Sequence, residues 1–566
     1  MKQPGIAALA AFAAIVSSEN GWQVTFVDVA RDAGLVHPSI YGGLDRKRFI
    51  IETNGAGAAF LDYDNDGRLD ALVLSGTRLE EGTRRDASWP AGKAPTNRLY
   101  RNRGEGRFTD ATDAAGLRRT GWASSVCAGD YDNDGWTDLF VTYYGRNVLF
   151  HNERGRFVDV TERAGLAARA TRWGSGCTFL DYDRDGRLDL FVANYLVLDL
   201  ETAAEPGQGA NCLWKGIPVN CGPKGLVTDV NLLFHNEGAG VFRDVSEPSG
   251  VSKVTGRYSM TAAAADLDAD GWTDIYVACD STAAILYRNN RDGTFTDVAL
   301  ASGAAVSELG NEQAGMGLGV GDFDLDGVLD LFKTHFADDI PALYRGSSGG
   351  RFEDVATAAG LGVQNRYVEW GAGTPDLDND GWPDLFYATG NVYPEIEARL
   401  PGYPHRGPKV VFRNRGGARF EDVSARSGQG ATATHSSRGV AFGDYDEDGD
   451  VDALVMNMNE PPSLLRNEYR GGHGWLGVRL TGARSNRSGI GATVVVEAGG
   501  RRQARAVLSQ SSYYSHDDLR LHFGLGAAKK ADSVEVRWPS GHVDVLRDVA
   551  GNRTITIREG SAAQKP

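Results

Sequence analysis

The stretch Asp62-Tyr63-Asp64-Asn65-Asp66-Gly67-Arg68-Leu69-Asp70 carries carboxylates at its first, third, fifth and ninth positions and glycine at its sixth. Hard divalent cations take oxygen ligands, and a loop of this length can surround Ca²⁺ with those carboxylates and the main-chain carbonyl of the seventh position. Glycine at the sixth position permits the sharp turn that such wrapping requires. Without a cation, four carboxylates held so close would repel one another or take up protons. The first loop therefore offers Asp62, Asp64, Asp66, the Arg68 carbonyl and Asp70.

The pattern Asp-x-Asp-x-Asp-Gly-x-x-Asp occurs seven times with no substitution at its defining positions. The second to fourth loops offer Asp130, Asp132, Asp134, Trp136 and Asp138, then Asp181, Asp183, Asp185, Arg187 and Asp189, then Asp266, Asp268, Asp270, Trp272 and Asp274. The fifth to seventh offer Asp322, Asp324, Asp326, Val328 and Asp330, then Asp376, Asp378, Asp380, Trp382 and Asp384, then Asp444, Asp446, Asp448, Asp450 and Asp452. The seventh-position residue contributes its carbonyl in each. An EF-hand opens in the same way but needs glutamate at position 12 and flanking helices. Position 12 here is Val73, Val141, Val192, Val277, Lys333, Tyr387 or Val455, inside strand-like runs such as Leu139-Phe140-Val141-Thr142. Up to seven structural calcium ions are expected, and they would nearly offset the formal net charge of -16.

Two further marks recur in phase with the loops. Phe-x-Asp begins at Phe26, Phe108, Phe157, Phe242, Phe295, Phe352 and Phe420. An apolar residue, a basic residue and asparagine recur at Tyr100-Arg101-Asn102, Phe150-His151-Asn152, Phe234-His235-Asn236, Tyr287-Arg288-Asn289, Phe412-Arg413-Asn414 and Leu465-Arg466-Asn467, with Tyr344-Arg345-Gly346 departing. Each unit thus holds four strands: one entering the metal loop, one leaving it, the Arg-Asn strand and the Phe-x-Asp strand. Four strands per repeat make a propeller blade. The expected fold class is all-β, a seven-bladed β-propeller over 22–468 followed by a small β-sandwich-like domain over 471–560. Because the chain opens with Phe-x-Asp and the repeats end at Asn467, the N-terminal strand is expected to complete the last blade and remove both free sheet edges.

The rest of the chain agrees with an exported all-β protein. It has 566 residues, 73 of them glycine, with short apolar runs between turn residues. Its acidity argues against nucleic acid, which wants a basic stripe. Residues 1–18, with an apolar run from Ile6 to Val16 ending in Ser17-Ser18-Glu19, read as an export signal too short to span a bilayer, and no transmembrane segment is expected. A secreted, periplasmic or cell-surface location follows. The five cysteines are an odd number; Cys212 and Cys221 share one loop and are expected to be bridged, while Cys127, Cys177 and Cys279 fall in strand patterns as core residues.

From Gly471 the repeat stops. New strands are expected at Trp475–Leu480, Ala492–Glu497, Ala504–Ser509, Leu519–Phe523, Ser533–Arg537 and Thr554–Arg558. The repeats resemble the FG-GAP or VCBS propeller repeats that also occur in integrin α subunits. The tail residues Gly474-Trp475-Leu476, Ser488-Gly489-Ile490-Gly491-Ala492, Phe523-Gly524-Leu525-Gly526 and Trp538-Pro539-Ser540-Gly541 resemble the ASPIC/UnbV domain shared by cartilage acidic protein and bacterial UnbV. The resemblance covers nearly the whole chain. It implies extracellular calcium-dependent binding or adhesion and supplies no catalytic residues.

Long insertions occur at Thr77–Thr96, Val197–Thr228 and Gly390–Lys409, each between the strand leaving the metal loop and the Arg-Asn strand. Sharing one phase, they are expected on one face, opposite the metal loops, where loops on a rigid scaffold serve binding. Tyr144, Tyr195, Trp214, His335, Asn391, Tyr393 and Asn457 gather there as candidate ligand residues, with filling of the central channel as the plainer role for about half of them. Gly346-Ser347-Ser348-Gly349-Gly350 matches a nucleophile-elbow pattern but lies between two strands, where a hairpin turn is expected. His335 is a general base only in principle, since a lone histidine is more often a hydrogen-bonded structural residue. The sequence therefore points to a non-catalytic protein that binds an extracellular protein or glycan. A secreted carbohydrate-active enzyme working at the insertion face is the alternative.

Overall fold

The computed structural model describes residues 21–167, 171–561 and 563–564. The export signal expected over 1–18 lies outside them. Seven four-stranded antiparallel blades follow one another around a channel. The first consists of Ala58–Leu61, Asp70–Val73, Arg98–Asn102 and Phe108–Asp110, from the channel outward. The other innermost strands are Ala123–Gly129, Arg172–Leu180, Ser259–Ala265, Leu318–Gly321, Glu369–Gly373 and Ser437–Gly443. The ring closes as its phase requires: Phe26–Asp28 is the outer strand of the last blade, with Phe26 opposite Asn467 and Asp28 opposite Leu465.

The recurring Phe-x-Asp has a local cause. Its phenylalanine is buried, and its aspartate ends the outer strand by accepting a hydrogen bond from the N–H two residues on. Examples are Ala30 to Asp28 at 3.1 Å and Thr112 to Asp110 at 2.9 Å. An aspartate that captures backbone in this way stops a strand and starts a turn. Gly346 to Gly350 form the hairpin between Ala342–Ser347 and Arg351–Asp354, closed by the Gly350 N–H donating to the Ser347 carbonyl at 3.1 Å.

The tail folds into a three-stranded sheet of Leu521–Gly526, Gly474–Thr481 and Arg553–Arg558, and a second sheet of Arg501–Ala506, Thr493–Ala498, Lys530–Arg537, Val543–Ala550 and Ala563–Gln564. Val543–Ala550 was not foreseen. Leu476, Val494, Phe523 and Val536 share one apolar core with Phe140, Phe179 and Phe242 of the second and third blades. The tail sits on the metal-loop end of the ring. There the Asp130 N–H donates to Ser488 Oγ at 3.0 Å, the Arg487 N–H to Asn133 Oδ1 at 2.8 Å, and Arg520 to the Asp444 carbonyl at 3.2 Å.

A tail segment also enters the channel. The Val126 N–H donates to the Tyr514 carbonyl at 3.1 Å, Leu318 and Ser512 exchange hydrogen bonds, and Gln510 Oε1 accepts from the N–H groups of Cys177 at 3.1 Å and Ala262 at 3.3 Å. Inner strands expose backbone to this plug because five of them carry a register shift, as between Ala123 and Val126 and between Gly174 and Cys177. The approach is close enough that a Cβ on Gly57 would lie 2.1 Å from the Tyr514 carbonyl oxygen, which admits only glycine.

Candidate metal loops and channel mouth

All seven loops share one backbone solution. The fourth residue has positive φ, from 54° at Asn65 to 64° at Arg184, and the sixth, glycine, has φ between 83° at Gly186 and 95° at Gly135. Two successive departures into left-handed space bring the carboxylates to one side, and only glycine takes the second without strain. The first-position aspartate accepts the glycine N–H in every loop, for example Gly67 to Asp62 at 3.0 Å and Gly381 to Asp376 at 2.7 Å. The ninth-position aspartate accepts the N–H at the asparagine position of the Arg-Asn strand, for example Asn102 to Asp70 at 2.7 Å and Asn467 to Asp452 at 2.8 Å.

The asparagine of the Arg-Asn mark carries a role that sequence reasoning missed. Its side-chain amide donates within its own blade and to the preceding blade. Asn152 reaches the Tyr63 carbonyl at 2.8 Å and Asn289 the Tyr182 carbonyl at 2.8 Å. The basic residue before it faces the loop: Arg101 lies 2.6 Å from Asp64, and Arg413 lies 2.8 Å from Asp378.

Carboxylate oxygens converge in these loops. Those of Asp62, Asp64 and Asp66, of Asp130, Asp132 and Asp138, and of Asp181, Asp183 and Asp189 each lie within 4.8 Å of one another, so these clusters could hold metal ions. Burial, and then neighbouring carboxylates, push Asp181 up to about 7 and Asp444 up to about 7. Asp189 and Asp452 rise well above the ordinary value for the same reasons. A cation would remove this penalty by supplying the missing positive charge.

The insertions leave the other end of the ring, opposite the metal loops, and pack over the channel. Cys212 and Cys221 are bonded. Trp214 does not stand free: its ring centroid lies 5.0 Å from Tyr403, 6.0 Å from Tyr393 and 6.0 Å from Phe336. Arg48 pairs with Glu205 at 2.8 Å, which brings Val36–Gly57, a fourth contributor that sequence reasoning missed, against the third blade's insertion. Under this cover lies a cavity of about 350 Å³, whose walls include Tyr195, Asp280, Phe336, Trp370, Tyr393 and Lys224. Tyr195 donates to Asp280 at 2.5 Å.

The seven candidate ligand residues divide. Tyr195 and Tyr393 line the cavity, and Trp214 packs beside it in the cover. Tyr144 is half-buried and donates to the Leu198 carbonyl at 3.0 Å. Asn391 and Asn457 are buried, Asn391 just beyond the strand Leu385–Gly390 and accepting from the Tyr393 N–H at 3.1 Å, Asn457 at the end of Asp452–Asn457 and donating to the Pro461 carbonyl at 3.1 Å. His335 is fully enclosed, with neither ring nitrogen hydrogen-bonded, and burial holds its imidazole well below the ordinary value. The plainer channel-end role therefore fits Asn391, Asn457 and His335. Asp280, at the same phase of the repeat as Tyr144 and Tyr195, also lines the cavity, and so does Trp370, which carries no sequence motif. The Trp538-Pro539-Ser540-Gly541 turn is structural, with Trp538 buried and donating to Asp544 at 2.8 Å.

These features define a class: a β-propeller of FG-GAP-like repeats capped by an ASPIC and UnbV domain. The FG-GAP-like repeat family matches residues 87–141, 130–192, 266–332 and 376–455. The ASPIC and UnbV family matches 482–564. The chain is related to cartilage acidic protein 1. The Homo sapiens protein is 26% identical over 465 residues, covering 78% of this chain and 63% of that protein. The Mus musculus protein is 25% identical over 533 residues, covering 89% and 73%. The chain thus spans less than two thirds of the human relative's length. The solved structure of BBS1N in complex with ARL6DN aligns with a TM-score of 0.40 at 10% identity, over 78% of this chain and 97% of that one. Among the described residues no helix is long and apolar enough to cross a membrane.

Proposed function

We propose that this chain is an exported, calcium-loaded scaffold that binds an extracellular protein or glycan at the covered channel mouth and performs no catalysis. The cavity beneath the insertions carries the proposal. It is large enough for a sugar or a partner side chain, and it pairs aromatic walls with the Asp280 carboxylate and the Asn54 amide. The tail packs on the end bearing the metal loops, where a cavity of about 590 Å³ lies between it and the ring, and the insertions with their aromatic residues gather at the opposite mouth. Oxygen-only loops suit calcium, and extracellular calcium is abundant enough to fill sites of modest affinity. The name of the relatives, cartilage acidic protein 1, supports an extracellular setting. A glycan and surface-protein array, probed with and without calcium, tests the proposal. Ligands retained by the wild type are expected to be lost by Asp280→Asn combined with Tyr393→Ala, with calcium content unchanged. Undiminished retention by that variant, or cleavage of an arrayed glycan, would overturn it.

A further inference from the structure

The second and third blades differ from the others where the loop meets the Arg-Asn strand. In the first and sixth blades a guanidinium fills that place, Arg101 against Asp64 and Asp66 and Arg413 against Asp378 and Asp380. In the third blade an imidazole does so. His235 Nε2 lies 3.0 Å from Asp183 Oδ2 and 3.7 Å from Asp185 Oδ2, and ligand atoms of these three residues fall within 4.8 Å of one another. The other ring nitrogen, Nδ1, lies 3.1 Å from Glu237 Oε1, and Glu237 is itself paired with Arg243.

That arrangement is the one by which proteins orient a metal-binding histidine. A carboxylate behind the ring accepts the N–H of one nitrogen, fixes the tautomer and leaves the lone pair of the other facing the metal. A second, independent feature points inward. Asp181 is 2% exposed, and its Oδ1 is enclosed with no hydrogen-bond partner. The equivalent oxygen accepts the fifth-position N–H in five loops, as from Asp66 to Asp62 at 3.0 Å and from Asp134 to Asp130 at 3.0 Å, whereas Asp322 Oδ1 of the fifth loop, which has no histidine, is enclosed without a partner in the same way. In the third loop that N–H belongs to Asp185 and turns instead to Asp183 at 3.2 Å. The second blade also carries a histidine whose ligand atom falls within 4.8 Å of those of Asp132 and Asp134; His151 turns Nδ1 to the loop, 3.1 Å from Asp138 and 3.5 Å from Asp132, but among the described residues no carboxylate backs its Nε2 as Glu237 backs His235.

We propose that the third blade binds a first-row transition metal of the zinc class through His235 Nε2 together with the Asp181, Asp183 and Asp185 carboxylates, with Glu237 as positioning residue. This rests on the loops being metal sites and departs from it in the metal chosen. A mixed nitrogen and oxygen donor set favours such ions over calcium, which takes oxygen alone.

The test uses the full chain, stripped with chelator, equilibrated in saturating calcium and titrated calorimetrically with zinc. The wild type is expected to take up one tightly bound zinc per chain. His235→Arg, which installs the residue used by the arginine blades, is expected to lose that equivalent and keep its remaining calcium. Glu237→Gln is expected to weaken zinc about 10- to 100-fold, and His151→Arg to change nothing. The proposal is overturned if the wild type binds no tight zinc, if His235→Arg binds it equally well, or if His151→Arg removes it. Calcium analysis of the same samples separates these outcomes from failure of the loops to bind calcium at all.

Discussion

The side-chain amide of Asn236 donates to the main-chain carbonyl of Tyr131 at 2.8 Å, so the third blade holds the metal loop of the second. The same amide donates to the Leu188 carbonyl at 2.9 Å in its own blade, while the Asn236 N–H reaches Asp189 at 2.8 Å. One residue therefore joins a loop to its blade and that blade to its neighbour.

Asn236→Ala removes both amide bonds and leaves two enclosed carbonyls unpaired. The expected loss is about 1–3 kcal/mol, read as a lower denaturant midpoint at constant slope. The fifth blade has no such bond to lose, because Gly346 occupies the asparagine position and a Cβ there would lie 2.4 Å from the Leu329 carbonyl oxygen. An Asn236→Ala protein as stable as the wild type would mean that ring stiffness comes from strand packing alone.

Stability of the metal-free protein should fall as pH rises, while the stabilisation that calcium adds should grow. Burial holds the carboxyls of Asp130, Asp181 and Asp322 up at about 7, above their ordinary value of 3.8. In metal-free protein the folded state keeps protons that the unfolded chain has released. That stabilisation is full below about pH 4 and is lost as pH rises through about 7. Chelated protein should therefore melt at a lower temperature at pH 8 than at pH 6. Calcium competes with protons for the same oxygens, so the increment it adds to Tm should grow over that interval. A chelator that leaves Tm unchanged at pH 8 would show that the loops do not depend on cations.

The propeller and tail should unfold together. Gln510 caps two buried N–H groups from different blades, so Gln510→Ala is expected to cost about 2–4 kcal/mol. Calorimetry should give a single transition for the whole chain. A chain ending after Asn467 should melt at a markedly lower temperature, since its channel and metal-loop end would be exposed. A truncated propeller with wild-type Tm would make the plug a passive filling.

Trp214→Ala should loosen the cover over the channel mouth before it affects the ring. The lost contacts with Tyr403, Tyr393 and Phe336 are worth about 1–3 kcal/mol locally. Limited proteolysis should then cut within residues 197–228 faster than in the wild type, with the denaturant midpoint of the ring little changed. Equal cutting rates would show that the bond between Cys212 and Cys221 holds the insertion by itself.

The sequence by itself determined what nine to sixty consecutive residues can express. Each metal loop closes on its own aspartates and glycine, each outer strand is ended by its own Phe-x-Asp, and the phase of the repeats alone forces Phe26–Asp28 to close the ring opposite Asn467. Local hydrogen bonds and a strict repeat leave their signature in residue order. Tertiary structure decided what depends on contacts between positions hundreds of residues apart. Gln510 and Tyr514 enter a channel built by residues far earlier in the chain, and Trp475 packs on Gly449 of the last metal loop. Asp280 and Trp370 meet Tyr393 only beneath the folded insertions, and His235 gains a role only because Glu237 stands behind its ring. Gln510, Tyr514 and Trp370 carry no repeat mark, and the positions of Asp280 and His235 in the repeat do not name their partners, which are fixed by where the ring brings them and not by their spacing along the chain.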